Sequence, residues 1–304
     1  MSKITPIQSD PTQRFQKFNE YTYVRTSVIS FKGYDTLTGL EVTWHELDIH
    51  TLTIEQKSKL LDFGDTLINL KFDSILSFLH FWIDNEKQIF YFITESMSTT
   101  SIYNQVVIGS TAISERVIAK WFHSALLAID FLHSCATPVV HLNLNLNGIF
   151  VKPSTGHVKI VPPLIDPFYL FQGNNSIKLR LSTPPELLNH EIDPSCDIWS
   201  FGIALLHAAT LVEPYSECKS PNELIQKLQN YVMPDCLNKV ESAQLKDLIL
   251  KCLKPVDQRA TARDLLGHPF FKREFEPIPE LAQQNDDVFE VIFSGKSSHS
   301  EIPL

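Results

Sequence analysis

Apolar and polar positions change rhythm about a third of the way along the chain. Up to about Asp84 short β-like alternation dominates. Tyr21 to Val24, Val28 to Phe31 and Leu40 to Trp44 read as strands, with Asp35-Thr-Leu-Thr-Gly39 as the turn between the last two. One helical segment interrupts them: Glu55 to Leu70 places Leu60, Leu61, Phe63, Leu67 and Leu70 at helical spacing. Gln88 to Thr94 is a strongly apolar strand. After Ser98 the period lengthens to that of helices. Ser114 to Ser134 carries Leu126, Ile129 and Leu132 on one stripe, and further helices are expected at about 195–212, 221–231, 241–253 and 261–266. Residues 1–13 are polar and read as a flexible N-terminus. The pattern predicts an α+β fold in which a small β-rich part precedes a large helical part, with no internal repeat.

Composition narrows the class. The chain has 304 residues, 43% hydrophobic and 20% charged, which describes a folded globular protein. Its net charge of −9, without a dense Lys/Arg stripe, argues against nucleic-acid or anionic-membrane partners. The five cysteines are scattered and contain no C-x-x-C pair, which argues against zinc and a disulfide framework. The start lacks the apolar core of a signal peptide, and the longest apolar stretch, Gly202 to Val212, is too short to span a bilayer. A cytoplasmic protein is expected. Ten glycines are sparse for a nucleotide-binding protein of this length.

The chemistry concentrates between His141 and Val151, His-Leu-Asn-Leu-Asn-Leu-Asn-Gly-Ile-Phe-Val. This stretch resembles the catalytic loop of protein kinases, H-R-D-L-x-x-x-N followed by apolar residues. Four further features resemble the same family. Asp197-Ile-Trp-Ser-Phe-Gly202 is similar to the D-x-W-S-x-G of the kinase F helix. Pro184-Pro185-Glu186 resembles A-P-E, and Arg259 stands where the arginine paired to that Glu is expected. Asp257 to Phe270 resembles the closing segment of many Ser/Thr kinases. Together they cover roughly residues 14–271. The resemblance implies a bilobal protein kinase-like fold, with an N-lobe of about 14–97, a C-lobe of about 98–271 and a C-terminal tail of 272–304. Within kinases, Glu41-Val-Thr-Trp-His-Glu-Leu47 is similar to the strand of the with-no-lysine kinases. Leu132-His-Ser-Cys135, the Asn-Leu-Asn loop and Ile149-Phe150 resemble the nuclear receptor-binding protein family, pseudokinase relatives of that group.

Carried onto this sequence, the resemblance implies retained structure and replaced chemistry. His141, Glu186, Asp197 and Arg259 stay as structural residues, Asp197 as an acceptor for backbone N–H groups of the loop. The phosphate-covering glycine loop falls on Tyr23 to Val28, which contains no glycine. The phosphate-gripping lysine falls on His45, and the position to which with-no-lysine kinases move it is Val28. Lys32 lies four residues further on, roughly 13 Å away at about 3.3 Å per residue. The helix glutamate falls on Phe63, expected to pack between the lobes. Asn143 replaces the catalytic Asp, Asn145 the loop lysine and Gly148 the metal-binding Asn. The magnesium-binding D-F-G falls on Pro162-Pro163-Leu164. A register using Asp166-Pro167-Phe168 instead needs a four-residue insertion. Asn143, Asn145 and Asn147 without a carboxylate read as a hydrogen-bonded turn and not a metal site.

With six positions replaced, the expectation is a non-enzyme, a pseudokinase scaffold or adaptor in signalling with no cofactor and no metal. Two alternatives stay open. One is a nucleotide sensor using the vestigial pocket of Val28, His45, Thr94, Glu95 and Met97; the other is a divergent with-no-lysine Ser/Thr kinase. Partners are expected to be proteins. Candidate surfaces are the apolar activation segment (Phe168, Tyr169, Phe171), which reads equally as a collapsed cleft filler, and the tail (Val288, Phe289, Ile292, Phe293), which reads equally as packed on the C-lobe.

Overall fold

The computed structural model describes residues 5–24, 28–96, 100–109, 113–152, 155–163, 180–189 and 191–275. Its N-terminal part is a six-stranded antiparallel sheet of β1 (Gln8–Ser9), β2 (Phe15–Val24), β3 (Val28–Asp35), β4 (Leu40–Asp48), β5 (Phe78–Asp84) and β6 (Ile89–Glu95). The spatial order is β1-β2-β3-β4-β6-β5. Helix α1 (Ile54–Asn69) lies between β4 and β5 in sequence. A capping box starts it: the Thr53 side chain accepts the Gln56 N–H, and the Gln56 side chain accepts the Thr53 N–H.

Strand alternation sorts the side chains of β4 onto two layers. Val42 and Trp44 join Phe15, Phe31, Tyr91 and Ile93 in one cluster. Leu47 joins Val28, Leu60, Leu67, Phe78, Phe90 and Phe92 in the other, against α1. Trp44 is fully buried, edge-on to Trp82 and Tyr91, and its indole N–H donates to Glu46 Oε1 at 3.2 Å. That carboxylate also pairs with Lys17 at 2.6 Å.

Two expectations about this part need correction. Residues 5–13 are not loose: β1 pairs with β2, and Asp10 is wholly buried, accepting the Phe15 and Thr12 N–H groups at 2.7 and 3.0 Å. Polar composition misled there, because the segment is tied down by backbone pairing and one buried carboxylate. Strand β5 was absent from the pattern reading. Its sequence, Phe-Leu-His-Phe-Trp-Ile-Asp, has no alternation because both faces are partly covered.

The C-terminal part is helical around one core. Its elements are α2 (Glu115–His133), α3 (Ser195–Thr210), α4 (Pro221–Gln229), α5 (Ala243–Cys252) and α6 (Ala262–Leu266). Ser114, Ser220, Ser242 and Thr261 cap the starts of α2, α4, α5 and α6. Helix α3 is buried along most of its length, which requires Gly202: a Cβ there would stand 2.5 Å from Cys252 Cβ on α5. A small sheet of β7 (Thr100–Ser101), β8 (Ile149–Lys152) and β9 (His157–Ile160) borders the interface with the N-terminal part. Phe63 packs against both the α1–sheet cluster and the helical core. The architecture is the bilobal α+β arrangement of a β-rich N-lobe and a helical C-lobe. Among the described residues no helix is long and apolar enough to cross a membrane.

Candidate functional site

The loop between α2 and β8 is held from below by α3. Asp197, fully buried in the first turn of α3, accepts the His141 N–H at 2.7 Å and the Leu142 N–H at 2.8 Å. His133 Nε2 lies 2.8 Å from the same carboxylate. His141 is itself fully buried, with Nε2 2.9 Å from the Val161 carbonyl, so the loop is also tied to the residue that follows β9. Leu142 takes a left-handed backbone with φ of 56° and packs beside Leu187 and Cys196. For a non-glycine residue that conformation persists only where the surroundings enforce it. Asp197 supplies the enforcement.

The segment following the undescribed residues 164–179 is pinned in the same manner. Arg259 and Glu186 form a two-armed ion pair, Nη2 to Oε2 at 3.0 Å, with side chains 0% and 2% exposed. Arg259 Nη1 also donates to the Ser195 carbonyl at 2.8 Å, and Nε to the Lys254 carbonyl at 2.9 Å. Removing one partner of such a buried pair costs about 3–5 kcal/mol, so the pair fixes this segment on α3.

The three asparagines form a turn. Asn145 Nδ2 donates to the Asn143 carbonyl at 2.9 Å and its side-chain oxygen at 3.1 Å, while the Asn147 N–H donates to Asn145 Oδ1 at 3.0 Å. Gly148 N–H closes it on the Asn145 carbonyl at 2.9 Å. Among the described residues no group of His, Cys, Asp and Glu is arranged to hold a metal ion. Gly148 faces Val161: a Cβ on the glycine would meet Val161 Cγ2 at 3.2 Å. Pro162 and Pro163, next along, are buried.

Sequence reasoning missed two contacts here. On β4, among neighbouring strands, His45 is 3% exposed and stacked on Phe92 with ring centroids 4.4 Å apart. Its Nδ1 lies 2.8 Å from Ser30 Oγ and its Nε2 2.9 Å from Thr94 Oγ1. Hydroxyls donate or accept by rotating, so either tautomer of the ring is satisfied between them. Ser30 is the direct cross-strand partner of His45. Counting that hairpin's register from the Asp35–Gly39 turn finds it. The second contact is Arg180, whose Nη1 donates to Asn143 Oδ1 at 2.9 Å. Only the fold brings residues 37 positions apart together, although an Arg six residues before the Glu of P-P-E was visible.

Other expected residues are placed as follows. Glu95 accepts Lys159 Nζ at 2.6 Å and the Ser77 N–H at 2.7 Å, joining β6 to β9. Val28 is buried in the α1-facing cluster. Lys32 pairs with Glu41 at 2.9 Å, on the solvent side. Met97, Phe168, Tyr169, Phe171, Val288, Phe289, Ile292 and Phe293 lie outside the described residues.

A brace of Asp197 under a His-started loop, closed by a Glu186–Arg259 pair, matches one family over most of the chain. Residues 30–271 match the protein kinase domain. The chain belongs to the protein kinase domain family. It is similar to the probable serine/threonine-protein kinase WNK10 of Arabidopsis thaliana, 30% identical over 268 residues, or 86% of this chain and 50% of that protein. It is 27% identical to the serine/threonine-protein kinase WNK3 of Mus musculus over 292 residues, 94% of this chain and 16% of that one. The Arabidopsis thaliana serine/threonine-protein kinase WNK8 is 28% identical over 275 residues, 88% of this chain and 48% of that one. The chain therefore spans half or less of these relatives. As a protein kinase domain with relatives named as Ser/Thr kinases, it corrects the expectation of a non-enzyme: those names point to an enzyme. The replaced positions bear on local chemistry, whereas the family match rests on 30–271 as a whole.

Proposed function

We propose that this kinase domain works in signalling by docking protein partners on the surface around its catalytic-type loop. One observation carries the reading. Asn143 stands at the position that would face an acceptor hydroxyl, and it is engaged by Arg180 from the adjoining segment at 2.9 Å. Asp197 and the Glu186–Arg259 pair hold both pieces in fixed register, which suits a preorganised docking surface. The test is native affinity capture with the full chain against Arg180→Glu. A reproducible, saturable partner set lost in the variant, at unchanged Tm, supports docking here; an identical set for both proteins rejects this location.

A second reading, phosphoryl transfer of a divergent with-no-lysine kind, is favoured by the names of the relatives. It requires a cation at the phosphates other than a lysine at position 45. Magnesium- and time-dependent transfer from labelled ATP to a protein acceptor, abolished by Asn143→Ala, would establish it. The two readings are independent, and one protein preparation serves both assays.

A further inference from the structure

Strand β5 ends the six-stranded sheet on one side, and among the described residues β6 is its one strand neighbour. Its first pair shows how the backbone faces. The Ser77 carbonyl accepts the Glu95 N–H at 2.9 Å, which makes Phe78 and Thr94 a wide pair and turns the Phe78 N–H and C=O away from β6. After the bulge between Phe78 and His80, alternate residues again present their backbone groups on that open side. Among the described residues a single hydrogen bond is made there, from Lys71 Nζ to the Phe78 carbonyl at 3.4 Å.

Sheets blunt such edges with proline, lysine or an inward charge in the strand, or by keeping the strand very short. β5 has none of these: it runs seven residues, Phe-Leu-His-Phe-Trp-Ile-Asp, apolar apart from His80 and the terminal Asp84. Helix α1 covers one face, where Phe81 lies against Gly64, and Leu61 on the same helical stripe stays 37% exposed. His80 lies 3.5 Å from Asp10, and Asp84 accepts the Glu86 and Lys87 N–H groups at 3.0 Å with Lys87 Nζ 3.6 Å away. Two charges are left over. Lys71 at the Phe78 end and Glu86 just past the Asp84 end are both exposed, and neither has an ion-pair partner among the described residues. An edge that is positive at one end and negative at the other complements an antiparallel copy of itself.

We infer that β5 is a self-association edge, on which a second copy of this chain pairs its own β5 antiparallel about a two-fold axis at Trp82. That register sets Trp82 opposite its counterpart as an aromatic cross-strand pair, and Phe78 opposite Glu86 of the second copy. Neighbouring strands lie about 4.8 Å apart, so Lys71, seated at the Phe78 carbonyl, reaches that Glu86. The axis repeats the ion pair at the other end. It also brings both α1 helices to the same face, where the exposed Leu61 lines the gap between them. The large lobes stay apart: the Leu76 N–H donates to the Ile160 carbonyl at 2.9 Å, which places the C-lobe at the Phe78 end, and the antiparallel copy carries its own at the opposite end. This surface is separate from the loop around Asn143, so the inference does not depend on the docking reading.

The test is sedimentation velocity on the full 304-residue chain from low to high micromolar concentration, with hydrogen exchange measured at both ends of that range. A monomer–dimer equilibrium is expected, with β5 amides gaining protection only as the dimer forms. Lys71→Glu and Glu86→Lys each reverse a charge in two symmetric pairs and should weaken the dimer at least about fivefold. The double variant should restore it, and raised salt should shrink all three differences. Both side chains are exposed, so Tm of the monomer should not move. A chain that stays monomeric at every concentration overturns the pairing and leaves the edge to a strand of a different protein. A dimer that leaves β5 exchange unchanged, or single reversals that the double variant does not cancel, overturns it as well.

Discussion

Asp35 closes the β3–β4 hairpin with four hydrogen bonds: two from Arg14 at 2.9 and 2.7 Å, one from the Leu37 N–H and one from the Thr38 hydroxyl. The Arg14 hydrogen bonds, outweighing the cost of burial, hold its carboxyl well below the ordinary value of 3.8. A folded-state pKa that is depressed gives stability fully present above the unfolded value and lost as pH falls towards the folded one. Asp35→Asn should therefore cost on the order of 1–3 kcal/mol near neutrality. The gap in Tm from wild type should narrow as pH drops from about 5 to about 2; a gap that stays constant would contradict the assignment. This turn was legible as Asp-Thr-Leu-Thr-Gly, whereas its ionic tie to Arg14, 21 residues earlier, was not. The same limit applied to Ser30 and Arg180. Local patterns report what a residue prefers, while cross-strand and cross-loop partners are decided by the fold.

Helices were the most readable elements because their apolar stripes repeat at helical spacing, and their starts carry chemical marks that the stripes alone do not report. Serine or threonine at positions 53, 114, 220, 242 and 261 accepts the N–H of the third helical residue in each case. Strands with one wet face were readable too. β5 was not, and neither was the π-helical turn Tyr103–Ile108, which has too few residues to show a period. Helix α3 tests how tightly elements pack. Gly202 lets α3 and α5 approach so closely that an added methyl overlaps Cys252 Cβ and comes within 3.1 Å of Leu253 Cδ2. Alanine is the better helix former by up to about 1 kcal/mol. Overpacking costs about 1–3 kcal/mol and should win. Gly202→Ala is expected to lower the urea midpoint, and a higher midpoint would mean the helices separate without strain.

Across the whole molecule, Phe63 and Leu70 both pack against the α1-facing sheet cluster and the helical core, Phe63 at the position read from the sequence as the family's helix glutamate. The half-buried Phe63 ring should be worth roughly 2 kcal/mol, less than the 3–5 of a fully buried Phe→Ala change. In Phe63→Ala the N-lobe is expected to open before the C-lobe, read as earlier hydrogen exchange in α1 and β3 than in α3. Equal loss of protection in both lobes would place the coupling elsewhere. The lobed architecture and the brace under the loop were legible at this scale because Asp197, Glu186, Gly202 and Arg259 serve the fold. The enzymatic reading was not, since replaced residues describe single positions and the family match draws on the entire domain.

The positions read as substituted are each fitted to their own neighbours, which bears on how such a sequence changes over time. His45 is spanned by Ser30 and Thr94, Asn143 by Asn145 and Arg180, and Gly148 abuts Val161. A lysine installed at 45 would strand two buried hydroxyls, and an asparagine at 148 would press on Val161. Each step taken alone should cost stability, and each site is expected to couple to its own partner, His45 with Ser30 and Thr94, Gly148 with Val161. Reintroducing the family's usual residue at a site is thus a change made together with its neighbour, and drift one substitution at a time meets a barrier there.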